Sequence, residues 1–389
     1  MGAKIFMTHR EKSFFQFRRI LSALFLTVLL FPTALLAKEE PTLDEMIGAM
    51  IMCGFRDAEL NSQSYILQSV ASGHLGHVIL FDRDVITKKP RNIRSKEQLK
   101  RLTSALHSAA RRPMLIAVDQ EGGLVSRLKP ALGFLPLEDA KTMGQKSVGY
   151  TKEKARATAR ELREFGINVD FAPVADVETV TDNLTSRLGR QLRCFGTDAR
   201  TVSAHVSAFA QGLFAEGVIP TLKHFPGLGC AGKDTHFVQV EVGACYKAER
   251  DLLPFKEAIE KGWPGLVMVS HGIVPALSDD TLPATLSPAV VGGVLRGQLG
   301  FTGVVVSDDL DMGAITTRFD RKKTIELAVL AGCDILLFGN NLTWDPDLPD
   351  FVFNTLKELV ASKRISEARI RESWIRIQKL FATLGEKKG

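Results

Sequence analysis

Eight short apolar runs separated by longer amphipathic stretches, with no Gly-rich dinucleotide-binding turn after the first run, predict an α/β fold. The expected form is a single TIM-type (β/α)8 barrel preceded by an N-terminal signal segment. An open doubly wound sheet is the competing architecture. A strand covered by other layers on both faces needs a nearly continuous apolar run. That pattern occurs in MIMCGF (50–55), HVILF (77–81), MLIAV (114–118), NVDFAPV (168–174), VIPTLKH (218–224), LVMVS (266–270), GVVVS (303–307) and DILLFG (334–339). Between them, TKEKARATARELREFG (151–166) sets Ala155, Ala159 and Leu162 at helical spacing and ends in Gly. Segments 199–217, 248–262 and 366–385 read as helices in the same way.

The 389 residues are 45% hydrophobic and 24% charged, which excludes a disordered, fibrous or multi-span membrane chain. The net charge of +6 is not a nucleic-acid signal. Lys4, Arg10, Lys12, Arg18 and Arg19 against Glu11 leave +4 in residues 1–37 and only +2 beyond them. After the two arginines, ILSALFLTVLLFPTALLA (20–37) is uncharged and ends just before Lys38, Glu39 and Glu40. Basic flank, apolar run, small residue, then polar chain is the order of a secretory signal. The chain divides into a signal peptide or signal anchor, 1–37, and a barrel domain, 38–389. Export to a periplasmic or extracellular site is the expectation, with membrane anchoring if the run stays uncut. Of the five cysteines, Cys53 and Cys333 sit in apolar runs, while Cys194, Cys230 and Cys245 lie in loop-like sequence. One disulfide among those three is open, without a choice of partner, and none shows metal-ligand spacing.

In a parallel barrel, polar residues just past the strand C-termini line the active-site mouth. Run three ends in Asp119, run four is followed by Asp176, and run five ends in Lys223-His224. Runs six, seven and eight end in His271, Asp308-Asp309 and Gly339-Asn340. Charged and imidazole groups at so many strand ends would be costly as core and suit one wet pocket. No zinc-type His/Glu pair, phosphate-binding loop or nucleophile elbow is present. Carboxylates with His, Lys and Arg fit glycosidic-bond hydrolysis, and metal-assisted hydrolysis stays open beside it.

DQEGG (119–123) with Arg127, NVDFAPVADV (168–177), RCFG (193–196), KHFPG (223–227), DTH (234–236) and SDDLDM (307–312) together resemble glycoside hydrolase family 3. The likeness is to its single-domain β-N-acetylglucosaminidase branch, of the muropeptide-recycling type, and runs from about residue 45 to the C-terminus. The resemblance implies a TIM-type barrel and a retaining exo-glycosidase without metal or organic cofactor. It makes Asp308 the nucleophile, His236 the general acid/base and Asp234 the partner that tunes the imidazole. Asp119, Arg127, Arg193, Lys223 and His224 match sugar-binding positions. The glycines at 227, 229 and 232 fit a mobile loop that closes over bound sugar.

The implied substrate carries a terminal β-linked N-acetylglucosamine on a peptidoglycan fragment or chitooligosaccharide, and the protein is expected as a monomer. A family 3 β-glucosidase, a glycosidase-phosphorylase and a non-catalytic cell-wall-binding homologue remain the alternatives. Leu228 and Leu124 depart from the common family pattern, which carries His and Arg there, and bear on loop packing. Blander readings stand beside these roles. Asp119 with Arg127, and Lys223 with His224, can serve as bracing pairs. The H-x-x-H at His74 and His77, on the opposite barrel face, reads as structural or solvated. The basic stretch Lys89–Arg101 reads as a solvated loop and helix start.

Overall fold

The computed structural model describes residues 1–2 and 40–385, except 182, 183 and 186. The apolar run expected as a signal, 20–37, lies outside the described residues. Among the described residues no helix is long and apolar enough to cross a membrane.

All eight expected strands are present: β1 (Ile51–Gly54), β2 (His77–Ile79), β3 (Ile116–Val118), β4 (Val169–Asp170), β5 (Ile219–Phe225), β6 (Leu266–Val269), β7 (Val305–Ser307) and β8 (Leu336–Phe338). They form one parallel sheet in the order β7-β6-β5-β4-β3-β2-β1-β8. A parallel bridge between Val306 and Ile335 joins the two ends, so the sheet closes into a barrel. β4 is much shorter than its apolar run because Pro173 has no N–H to give the ladder. Pairing resumes at the Val174–Lys223 bridge.

Strand residues alternate between two cores, as a period of two requires. Met52, Ile79, Ala117, Val169, Ile219, Met268, Val306 and Leu337 fill the barrel interior. Ile51, Cys53, Val78, Ile116, Val118, Val267, Val305 and Leu336 pack outward under the helices. Those helices include α1 (Lys96–Ala109), α2 (Val148–Glu164), α3 (Ala199–Ala215), α4 (Leu253–Glu260), α5 (Arg321–Ala331), α6 (Leu348–Ala361) and α7 (Glu367–Gly385). α2 starts ahead of the expected position because the Ser147 hydroxyl caps the Tyr150 N–H. The single helix expected over 248–262 is two pieces, Ala248–Asp251 and α4. Pro254 cannot donate inside a continuous helix but is accommodated in the first turn of α4.

The solvated reading of Lys89–Arg101 fails at Arg91, which is buried and donates to the carbonyls of Phe55, Gly339 and Asn340. The two histidines of H-x-x-H are structural. His77 begins β2 with Nδ1 accepting from the Leu115 N–H, and burial pushes its pKa down to about 4. His74 stacks on Phe353 and pairs with Asp350 at 2.7 Å.

α7 closes the N-terminal end of the barrel, setting Ile377 and Leu380 against the interior core. The fully buried Asp334 holds it there. Its carboxylate accepts from Arg296 at 2.7 Å, the Val305 N–H at 3.0 Å, the Ser373 hydroxyl at 2.7 Å and Arg376 at 3.0 Å. Removing one partner of a buried ion pair strands the other, so Asp334→Ala should lower unfolding stability by about 3–5 kcal/mol. Urea denaturation checks this. A loss below about 0.5 kcal/mol, the range of ordinary surface substitutions, would mean the network is not holding the helix.

Candidate active site

The C-terminal ends of the strands surround a cavity of about 350 Å³. Asp119, Arg127, Arg193, Lys223, His224, Asp234, His236 and Asp308, the eight residues singled out from sequence, all line it. Apolar walls come from Ile79, Phe171, Met268 and Leu337 at the top of the barrel core.

Directly after β3 the chain turns back on itself in a two-stranded hairpin, Gln120–Gly122 with Val125–Ser126. Gly122 and Gly123 make this turn at φ of 98° and 56°, where a side chain would be strained. The hairpin brings Arg127 back onto Asp119 at 3.3 Å and turns Glu121 toward Lys223. Lys223, almost fully buried at the end of β5, lies between the two acids, 2.9 Å from Asp119 and 2.6 Å from Glu121. Arg193 grips Glu121 with two hydrogen bonds of 2.7 and 2.8 Å. Burial disfavours these carboxylates, but the cations outweigh it. Lys223 and Arg127 hold Asp119 well below the carboxylate range, and Arg193 with Lys223 brings Glu121 down to about 2. Both acids therefore stay ionised. The bracing pair of Asp119 and Arg127 is real, but both side chains also line the cavity.

His224 is fixed by Asp176, whose Oδ2 lies 2.7 Å from Nδ1 and also accepts the His224 N–H. The other carboxylate oxygen accepts the Leu228 N–H, so Asp176 ties β5 to the loop that follows it. Lys223 and His224 thus pair with acids rather than with each other. Glu121 was not singled out from sequence, although it stands two residues past Asp119. At that spacing an extended chain puts both acids on one face.

The loop after β5 carries the dyad. Asp234 Oδ1 lies 2.8 Å from Nδ1 of His236 and also accepts the His236 backbone N–H at 3.1 Å. This leaves Nε2 as the ring atom that exchanges protons with the cavity. The tip docks onto the segment just beyond β7: Gly313 N–H donates to His236 O at 2.9 Å and Ala314 N–H to Thr235 O at 3.1 Å. Leu228, in place of the expected His, is buried with Ala231, Val240, Val242, Tyr246 and Val274 as an apolar base for the loop. Leu124, the other departure, is exposed at the hairpin turn.

Asp308 follows β7 directly, its N–H bonded to Val269 O and its Oδ1 accepting from the Asp309 N–H at 2.8 Å. Burial opposes its charge, yet the rings of His271, His224 and His236 hold the carboxyl below its usual range. Asp309 differs sharply, because burial and the neighbouring Asp311 push it up to about 7. Of the acids in SDDLDM, Asp308 is the one held below its ordinary range, whereas burial raises both Asp309 and Asp311. His236 is partly desolvated, but Asp234 and Asp308 more than compensate and raise its pKa above the ordinary 6.5. His271 is wholly buried beside them, its Nε2 on Asp309 O at 2.8 Å and its Nδ1 on the Thr285 hydroxyl at 3.1 Å. It acts as a scaffold under the β7 loop. Among the described residues, no group of three or more His, Cys, Asp or Glu side chains is placed to hold a metal ion.

A cavity lined by paired carboxylates, arginines and imidazoles at a barrel mouth suits a polyhydroxylated substrate. The comparisons with known proteins agree. A family described as "Glycosyl hydrolase family 3 N terminal domain" matches residues 42–380. A protein named beta-hexosaminidase from Stenotrophomonas maltophilia is 34% identical over 299 residues, covering 74% of this chain and 82% of its own. The glycoside hydrolase family 3 beta-N-acetylglucosaminidase of Paenibacillus sp. superposes with a TM-score of 0.80 at 32% identity. That match covers 89% of this chain but only 63% of the Paenibacillus chain. Beta-N-acetylhexosaminidase from Beutenbergia cavernae gives a TM-score of 0.76 at 29% identity, covering 89% of this chain and 99% of that one. With the family matched across nearly the whole barrel, the chain belongs to glycosyl hydrolase family 3.

Proposed function

We propose that this hydrolase is a retaining exo-β-N-acetylglucosaminidase, removing a terminal β-linked N-acetylglucosamine from peptidoglycan fragments or chitooligosaccharides. The observation that carries the reading is electrostatic. A carboxylate after β7 and an imidazole on the β5 loop line one cavity, close enough that each shifts the other's titration toward the charged form. The names borne by the Stenotrophomonas and Paenibacillus relatives support the choice of sugar.

In this mechanism Asp308 attacks the anomeric carbon, forming an ester as the glycosidic C–O bond breaks. The cationic His236 gives its Nε2 proton to the departing oxygen. Neutral His236 then takes a proton from water, whose oxygen displaces Asp308 and releases the sugar. Asp234 keeps the imidazole in the useful tautomer and steadies its charge in the first step. Asp119, Arg127, Arg193, Lys223 and His224 bind the sugar hydroxyls. Because the ions among them are already paired, they meet the substrate in fixed geometry.

Export is part of the same proposal. Cys230 and Cys245 form a disulfide, which supports an oxidising compartment, as does the order of charge and apolarity in residues 1–40.

The purified protein should hydrolyse 4-nitrophenyl N-acetyl-β-glucosaminide, and Asp308→Ala should lower kcat about 10⁴-fold. Near-normal turnover by that variant would reject the nucleophile. The profile of kcat/KM against pH should be bell-shaped. Its acid limb follows Asp308 ionising below the ordinary 3.8, and its basic limb follows His236 losing its proton above 6.5. Asp234→Asn removes the hydrogen-bonding anion that raises His236, so it should move the basic limb toward lower pH. A basic limb left in place would show that the dyad does not set the acid's pKa.

A further inference from the structure

We propose that the Cys230–Cys245 disulfide is the positioning device of the acid/base loop, holding His236 in register with Asp308. This rests on the roles given to those two residues above. The bond joins backbones 6.0 Å apart at Cα and converts residues 231–244 into a closed loop that contains both Asp234 and His236. The base of that loop is well anchored. Leu228 N–H is held by Asp176, Tyr246 donates to Pro226 O at 3.0 Å, and Val242 N–H donates to Ile273 O at 2.7 Å.

The tip is held differently. The His236 side chain is half exposed, and Phe237 is 67% exposed, so neither is packed into a core. The tip's ties to the barrel include the backbone bonds from Gly313 and Ala314 and a 3.2 Å bond from Arg190 to Gly232 O. Between the buried Ala231 and Val240, the chain of the tip samples more conformers when its ends are less firmly fixed. The disulfide fixes them just outside the dyad. Proton transfer is steeply sensitive to the placement of the donor, so the covalent tie acts on the rate through His236.

The structure also makes the bond separately addressable. Cys53, Cys194 and Cys333 are free thiols and buried, so a reductant finds one disulfide. Dithiothreitol would break the S–S bond by two successive thiolate attacks. Cys230 and Cys245 leave as thiols, and the reagent departs as its cyclic disulfide, having supplied both electrons.

The test compares two leaving groups, using kcat/KM because it reports the bond-breaking step. Chitobiose needs its departing oxygen protonated, whereas the 2,4-dinitrophenyl N-acetylglucosaminide does not. In a Cys230→Ser/Cys245→Ser variant, kcat/KM for chitobiose should fall about tenfold while the dinitrophenyl value holds within about twofold. Reduced wild-type protein, shown folded by circular dichroism, should behave the same way. Equal losses on both substrates, no loss on either, or unfolding on reduction would overturn the proposal in favour of a purely structural bond. His236→Gln is run in parallel. If it lacks the same dependence on leaving group, the acid/base reading itself falls. If it has the dependence and the disulfide variant does not, only the positioning role falls.

Discussion

Two backbone hydrogen bonds bring the chemistry together. Gly313 and Ala314, just past the β7 strand end that carries Asp308, donate to the carbonyls of His236 and Thr235 at the tip of the β5 loop. A barrel puts strand-end side chains in its mouth by construction, but a group on a long loop needs a separate reason to be there. Here the reason is main-chain docking, which makes no demand on the side chains and leaves the imidazole half exposed to exchange protons. Once docked, the ring and the carboxylate each favour the other's charged form, which suits an acid facing a nucleophile.

Another part of the site is organised by charge. Asp119 and Glu121 share Lys223, and Arg127 and Arg193 complete the set. Burying Glu121 and Lys223, with Asp119, Arg127 and Arg193 half-buried beside them, is costly unless each is paired with good geometry, and the hairpin after β3 supplies that geometry. Lys223 has little freedom at the end of a fully buried strand, so the acids are drawn to it. A sugar bound as proposed would therefore meet ions that are already oriented.

The barrel was legible because a parallel strand buried on both faces writes itself as a continuous apolar run. Each of the eight runs became a strand. Their lengths were less legible, since Pro173 breaks the β4 ladder inside an apolar run. The helix over 248–262 divided at Pro254 for a similar reason, a missing N–H inside a helical pattern. Arg91 escaped notice because its partners, the carbonyls of Phe55, Gly339 and Asn340, are main-chain atoms far along the sequence. The strand-end acids, lysine and histidines were readable from position alone. Glu121 was harder, and Asp176 was readable as a strand-end acid but not as the buried partner of His224, because the importance of each lies in which cation or ring it holds. The Cys230–Cys245 pairing also depended on loop geometry that spacing does not specify.

In the proposed mechanism Asp308 and His236 act on opposite sides of one anomeric carbon. The most direct measurement is a crystal structure of the protein after inactivation by a 5-fluoro N-acetylglucosaminyl fluoride, which slows release of a covalent sugar. The expected result is an ester between C1 and Asp308, with His236 Nε2 about 3 Å from a water poised on the opposite side of that carbon. Attachment to any other residue, or an imidazole turned away from the sugar with the loop still docked, would contradict it.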